Sequence, residues 1–217
     1  MGADLIELGI PYSDPLADGP VIQAAGTVAL QNGATFESIL RVCAEVSPLV
    51  PVVVMTYANV VQARGPEAFC QRLLEAGASG AIIPDLPPEE AGELLAHTDA
   101  AGLALVPLIA PTTPDERLSV VGSRARGFLY TVSVTGITGE RQGAAGYAPV
   151  VERARRATTV PVALGFGIST GEQAGAAADA GADGVIVGSK LVRLAGAPDG
   201  VNAVREAVRE LSRGLDR

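Results

Sequence analysis

Residues 5–23, LIELGIPYSDPLADGPVIQ, contain the three acidic residues on which the interpretation of this chain depends. Glu7 lies in the middle of an apolar strand, and Asp14 and Asp18 lie in the loop that follows it. A carboxylate inside an apolar strand costs free energy unless it is neutralised or has a chemical task. Glu7 is therefore a candidate for proton transfer. The alternative is a structural carboxylate paired with a buried arginine or with backbone donors.

Strand alternation places Glu7 on one face of its strand, and Ile6, Leu8 and Ile10 on the other, which suits packing against helices. Burial of Glu7 would raise its pKa and suit it to proton transfer near neutral pH. Asp18 has a structural alternative as the N-cap of a helix that begins at Gly19-Pro20. Asp14, in Ser-Asp-Pro, is by default a turn residue.

The rest of the chain alternates short apolar strands with helical patterns. The strands are near-continuous apolar runs, which is typical of parallel strands buried on both faces. They lie at 4–10, 51–57, 80–85, 103–109, 127–133, 161–167 and 184–189. Helices are predicted near 35–46, 65–76, 88–100, 114–121, 146–157, 170–180 and 199–213. Repeated strand–helix order predicts a parallel α/β fold with right-handed crossovers.

A closed (β/α)8 barrel requires eight strand–helix units, and seven can be counted here. An open doubly wound sheet is the alternative, but no GxGxxG follows the first strand, and the glycines follow the late strands. We expect a single barrel domain over 1–217. The repeated pattern of helix end, glycine and strand begins midway at Gly2, so we also expect the first unit to be missing.

Three glycine-containing turns follow the last three strands, at 133–139, 165–167 and 188–189. Exposed backbone N–H groups without a Cβ nearby can bind phosphate, and barrels often form such a site after their last strands. Each turn alone is weak evidence, but three in succession predict a phosphate site. The polar, glycine-rich stretch 135–147 is either a lid over that site or a solvated loop.

Composition excludes several classes of protein. The 217 residues carry a net charge of −8, which argues against nucleic-acid binding. No signal peptide is recognised, and the uncharged run 46–63 is too polar for a membrane span. Two isolated cysteines, Cys43 and Cys70, fit a reducing cytoplasm. The only histidine, His97, lies in a polar context, and no cluster has metal-ligand spacing.

Taken together, the motifs resemble the tryptophan synthase α subunit, in order and over essentially the whole chain. They are ADLIELG (3–9), PYSDPLADGP (11–20), YAN (57–59), PDLP (84–87), TGITG (135–139), GFGI (165–168) and GS (188–189). The resemblance implies a lyase of tryptophan biosynthesis that cleaves indole-3-glycerol phosphate, without a cofactor, into indole and glyceraldehyde 3-phosphate. Members of this family carry roughly forty further residues before the part that matches this chain, so the resemblance by itself does not imply that this shorter chain is active.

The resemblance also implies roles for individual residues. Glu7 matches the general acid/base, and Asp18 matches the carboxylate that binds the indole N–H. Two carboxylates in different surroundings can hold different protonation states, which suits this pairing. The substrate-pocket positions are Ile22, Tyr57, Ile82, Tyr130 and Phe166, together with Thr138 in the lid. The phosphate-binding positions are Gly139, Gly167, Gly188 and Ser189.

The family works with a β subunit that uses pyridoxal phosphate, in a heterotetramer expected to be α2β2. Pro11, Asp14 and Asn59 resemble the surface that faces this partner. Two alternatives remain beside the partner-activated lyase. The chain could be a catalytically incomplete module that only binds the β subunit, or a stand-alone lyase that releases indole.

Overall fold

The structure, a computed structural model, describes residues 2–133 and 144–216. These residues form two compact units. The first unit extends from Asp4 to Val106, and the second contains the described residues from Pro107 onward together with Gly2 and Ala3. The expectation of one barrel domain over 1–217 stays a prediction, and each unit is described by itself below.

The first unit is a four-stranded parallel sheet with helices between its strands. Its elements are β1 (Ile6–Gly9), α1 (Pro20–Gln31), α2 (Phe36–Val46), β2 (Val52–Met55), α3 (Ala58–Gln62), α4 (Pro66–Glu75), β3 (Gly80–Ile82), α5 (Gly92–Ala101) and β4 (Ala104–Val106). The strand order is β1-β2-β3-β4, and all pairs are parallel. Glu7 lies beside Val53 in this register.

The two faces of this sheet differ in what they contact. The face with Leu8, Val52 and Val54 packs into a core formed with the surrounding helices. Glu7 belongs to the opposite face, because the side chains of successive strand residues alternate. The predicted division of β1 into a helix-packed face and a face that carries Glu7 is therefore confirmed.

The second unit repeats the same architecture. Its elements are β5 (Leu108–Ile109), α6 (Asp115–Arg124), β6 (Leu129–Val132), α7 (Ala144–Ala157), β7 (Val162–Gly165), α8 (Gly171–Asp179), β8 (Gly184–Ile186), α9 (Ser189–Ala195) and α10 (Gly200–Leu215). The strand order is β5-β6-β7-β8, again entirely parallel. Leu129, Val162 and Leu164 face the helices, whereas Tyr130 and Gly165 lie on the other face.

All seven predicted strands and all seven predicted helices are present, with one correction to the strands. The run 103–109 is two short strands rather than one, β4 and β5, and they belong to different sheets. Pro107 separates them, because proline has no N–H to donate to a ladder. The run 80–85 is likewise shortened to β3, and Pro84 lies just beyond it.

In residues 2–133 and 144–216, three helices were not among those predicted by periodicity. The helix α1 was anticipated only as the alternative role of Asp18, and α3 and α9 have just five and seven residues. Within the described residues, no helix is both long and apolar enough to cross a membrane.

Candidate active site

Glu7 is held in surroundings that favour its neutral form. Its Oε2 atom is buried and accepts no hydrogen bond. Burial, with a smaller contribution from the charge of Asp18, raises the pKa of Glu7 from 4.5 to about 7. The predicted rise in pKa is confirmed. In the part of the chain that the structure describes, no arginine or lysine forms an ion pair with Glu7, so the alternative of an arginine-paired carboxylate finds no support.

Asp18 is tied to Tyr57, which is almost completely buried after the end of β2. The Tyr57 hydroxyl accepts a hydrogen bond from the Ala17 amide at 3.1 Å and donates one to the Asp18 carboxylate. Burial raises the pKa of Asp18, and this hydrogen bond opposes the rise. The pKa of Tyr57 is raised to about 12, chiefly by burial, so the phenol remains a donor at neutral pH.

The loop that carries Asp18 is also held by its own backbone. The Asp18 amide donates to the Pro15 carbonyl at 3.1 Å, and the Gln23 side chain donates to the Asp18 carbonyl at 2.8 Å. The helix α1 does begin at Pro20, but its N-cap is Gly19, and no side chain caps it. The alternative role of Asp18 as the helix N-cap is therefore wrong, and its carboxylate is directed to Tyr57 instead.

The second unit contains a strained turn after β7. Among the described residues, Phe166 is the only one other than glycine with positive φ, at +68°. The Ser133 hydroxyl donates a hydrogen bond to the Phe166 carbonyl, and the Ser133 amide donates to the Gly165 carbonyl at 3.0 Å. Left-handed backbone costs a residue with a Cβ about 1–2 kcal/mol. The Ser133 contacts help to hold this conformation. In the sequence, Ser133 is recognisable only as the start of a glycine-containing turn.

Two predicted pocket residues meet at this turn. The rings of Tyr130 and Phe166 lie edge to face, with centroids 6.4 Å apart. Gly165 allows this approach, since a Cβ there would lie only 2.6 Å from the Tyr130 ring. Phe166 remains 42% exposed, so its ring is accessible to a ligand.

The comparisons with known proteins all match this chain to one family, and the matches extend over essentially its whole length. Residues 1–216 match the family model described as tryptophan synthase alpha chain. A tryptophan synthase alpha chain of Synechococcus elongatus is 49% identical over 220 residues, covering all of this chain and 82% of the relative. This chain belongs to the tryptophan synthase alpha chain family.

Solved structures of tryptophan synthase support the same assignment. A Mycobacterium tuberculosis tryptophan synthase chain has 39% identity and a TM-score of 0.91, covering 99% of this chain and 82% of its own. A chain of the tryptophan synthase complex from Pyrococcus furiosus has 34% identity and a TM-score of 0.87, covering 96% and 86%. The predicted fold class, an α/β chain of the (β/α) barrel type, is confirmed. The chain is shorter than these family members.

The positions matched by the tryptophan synthase resemblance are distributed over both units. In the first unit, Ile82 is fully buried and shares its sheet face with Glu7, whereas Ile22 lies partly buried on α1. In the second unit, Gly167 has positive φ beside Phe166, and Gly188 is the N-cap of α9, which begins at Ser189.

The positions predicted to face the β subunit all belong to the first unit. Asp14 and Asn59 are exposed, and Pro11 is partly buried. Two further predicted positions, Thr138 in the lid and Gly139 in the phosphate site, lie outside the described residues. No group of three or more histidine, cysteine or acidic residues is arranged for a metal ion within 2–133 and 144–216.

Proposed function

We propose that this chain cleaves indole-3-glycerol phosphate into indole and glyceraldehyde 3-phosphate. The observation that carries the proposal is Glu7, a carboxyl group whose pKa is raised to about 7, near Asp18. A group with a pKa near the working pH can both give and take a proton at useful rates. The substrate is the one that the resemblance to the tryptophan synthase α subunit implies, and membership of the tryptophan synthase alpha chain family supports it.

In the proposed reaction, Glu7 transfers protons at both ends of the bond that breaks. Neutral Glu7 protonates C3 of the indole ring, which leaves a positive charge on the ring. Glu7 then takes the proton of the glycerol hydroxyl as the carbon–carbon bond breaks. The electrons of this bond return to the ring, and the hydroxyl carbon becomes the aldehyde. The proton lost from the hydroxyl balances the proton gained at C3.

Asp18 stabilises the ring cation in this scheme. Its carboxylate accepts a hydrogen bond from the indole N–H, and ionised Asp18 opposes the positive charge that develops there. The Tyr57 hydroxyl, hydrogen-bonded to both Ala17 and Asp18, keeps the carboxylate in place. Because its single proton is used for Asp18, Tyr57 would contact the substrate through its ring.

We assign the phosphate of the substrate to the glycine-containing turns of the second unit. Gly167, Gly188 and Ser189 offer backbone N–H groups in turns where little side-chain bulk intervenes. Phe166 and Tyr130 would contact the organic part of the substrate.

We further propose that the chain works with a tryptophan synthase β subunit in an α2β2 heterotetramer. The exposure of Asp14 and Asn59 supports a contact surface on the first unit, and the Pyrococcus relative was solved as a complex. Pyridoxal phosphate would belong to the β subunit. The free buried thiols of Cys43 and Cys70 favour a cytoplasmic location.

The first experiment is indole release from indole-3-glycerol phosphate, measured for the chain alone and with a β subunit. Glu7→Gln should lower turnover by about 10²-fold or more, as expected for loss of a general acid/base. The control Glu90→Gln, which changes an exposed acid, should retain turnover. Circular dichroism would verify that both variants are folded.

Each outcome separates two interpretations. Turnover that depends on Glu7 and increases with the β subunit would support the partner-activated lyase, whereas equal turnover without the partner would favour a stand-alone enzyme. No turnover by a folded chain that binds the β subunit would refute the catalytic proposal and favour a binding module.

A further inference from the structure

Asp85, in the PDLP motif at 84–87, has no role in the reaction described so far. Its Oδ1 atom accepts a hydrogen bond from the Ala58 amide at 2.8 Å. Ala58 is the first residue of α3, whose N-cap, Tyr57, makes no side-chain capping bond. A helix start leaves amides without partners, and a nearby carboxylate satisfies them and interacts favourably with the helix dipole. Asp85 therefore caps α3 from a different loop.

The capped amide directly follows Tyr57. The Tyr57 ring is buried, and its hydroxyl holds the Ala17 amide and the Asp18 carboxylate. Two anchors thus act on Tyr57, one on the backbone through Ala58 and one on the hydroxyl. The backbone anchor fixes the position of the Tyr57 backbone, and this position limits the places that the Tyr57 hydroxyl can reach.

We propose that Asp85 is a positioning residue: by binding the Ala58 amide it fixes Tyr57, whose hydroxyl holds Asp18 in the geometry needed for cleavage. The inference rests on the proposed function for its catalytic consequence. Its structural part, the connection from Asp85 through Tyr57 to the Ala17 amide, stands on the hydrogen bonds alone.

A second effect of Asp85 acts in the same direction. Its negative charge adds to burial and to the charge of Asp18 in raising the pKa of Tyr57. This charge favours the protonated phenol, the form that donates to Asp18. Asp85 supports Tyr57 both in position and in protonation state.

The test compares Asp85→Ala, which removes acceptor and charge, with Asp85→Asn, which keeps an acceptor oxygen. Glu90→Ala is the control, because it removes an exposed carboxylate from the same loop. We expect Asp85→Ala to lower kcat/KM for indole release about 5- to 10-fold, the factor that corresponds to the typical free energy of a helix cap. Asp85→Asn should lower it about threefold or less. In a Tyr57→Phe background, Asp85→Ala should have little further effect, because residues that act through one another are not additive.

Amide hydrogen exchange, followed by NMR, tests the connection without any substrate. Asp85→Ala should accelerate exchange at both Ala58 and Ala17, and Asp85→Asn should largely preserve protection at both. Acceleration at Ala58 alone would make Asp85 a local cap and overturn the proposal, as would fully additive effects with Tyr57→Phe. If the wild-type chain releases no indole, the proposed function fails, yet exchange at Ala17 still decides the positioning role. Should Asp85→Ala not fold, Asp85→Ser replaces it, since a serine hydroxyl is too short to reach the Ala58 amide.

Discussion

Replacing Glu7 by glutamine should make the protein more stable at neutral and alkaline pH, although it removes the residue central to the proposed reaction. The pKa of Glu7 is raised by burial from 4.5 to about 7, so the folded protein holds this proton more tightly than the unfolded chain. Stability must then decrease as the pH rises from about 4.5 to about 7, because the unfolded chain ionises first. Glutamine has no proton to lose and escapes this penalty.

The size of the effect follows from the two pKa values. The difference between 4.5 and about 7 corresponds to about 3 kcal/mol once the carboxylate is ionised in both states. Most of this penalty develops between pH 5 and pH 8, so the advantage of Glu7→Gln should grow by about 2–3 kcal/mol over that interval.

Urea unfolding followed by far-UV circular dichroism would measure this growth, since the chain has no tryptophan for fluorescence. Wild type, Glu7→Gln and the control Glu90→Gln would be compared at each pH. The control changes an exposed acid, and its difference from wild type should stay small throughout. An advantage of Glu7→Gln that is constant or shrinks with increasing pH would refute the reasoning that burial holds Glu7 in its neutral form.

Three further substitutions test other contacts of the site. Asp18→Asn should lower the pKa of Glu7, because the charge of Asp18 contributes to its rise; an unchanged ¹³C NMR titration of Glu7 would contradict this. Tyr57→Phe should lower the free energy of unfolding by about 1–2 kcal/mol and reduce indole release, since two hydrogen bonds to the loop are lost. Ser133→Ala should raise KM several-fold by releasing the strained turn at Phe166. Adding Phe166→Gly should restore the stability that Ser133→Ala loses, because glycine adopts positive φ without strain. Thermal melts in which the double variant is no more stable than Ser133→Ala would argue against strain at this turn.

Much of the fold could be predicted because buried parallel strands leave a direct trace in the sequence. Seven apolar runs located the strands, one of them containing both β4 and β5, and alternation identified the face of β1 that carries Glu7. The interruption at Pro107 was not predicted, because the run 103–109 is apolar throughout and only the pairing shows that its two parts belong to different sheets. The short helices α3 and α9 have too few residues to display a helical period.

For the site, residue types were easier to predict than contacts. The raised pKa of Glu7 follows from a single strand, whereas the bonds of Tyr57 and Asp85 join segments 40 and 27 residues apart. Such pairs depend on how loops from neighbouring strands meet, which no local pattern encodes. The same holds for Ser133, whose role becomes visible only once Phe166 is seen in left-handed backbone.

The interruption at Pro107 also bears on where, along the gene, mutations with different functional effects are expected to lie. Among the residues that the structure describes, every strand pair joins residues on the same side of Pro107, so a cut between Val106 and Pro107 would divide neither hydrogen-bond ladder. Under the proposed function, the proton-transferring Glu7 and the charge-stabilising Asp18 are encoded before this point and the phosphate-binding turns after it. Variants that lose proton transfer and variants that lose phosphate recognition are therefore expected to map to opposite halves of the coding sequence.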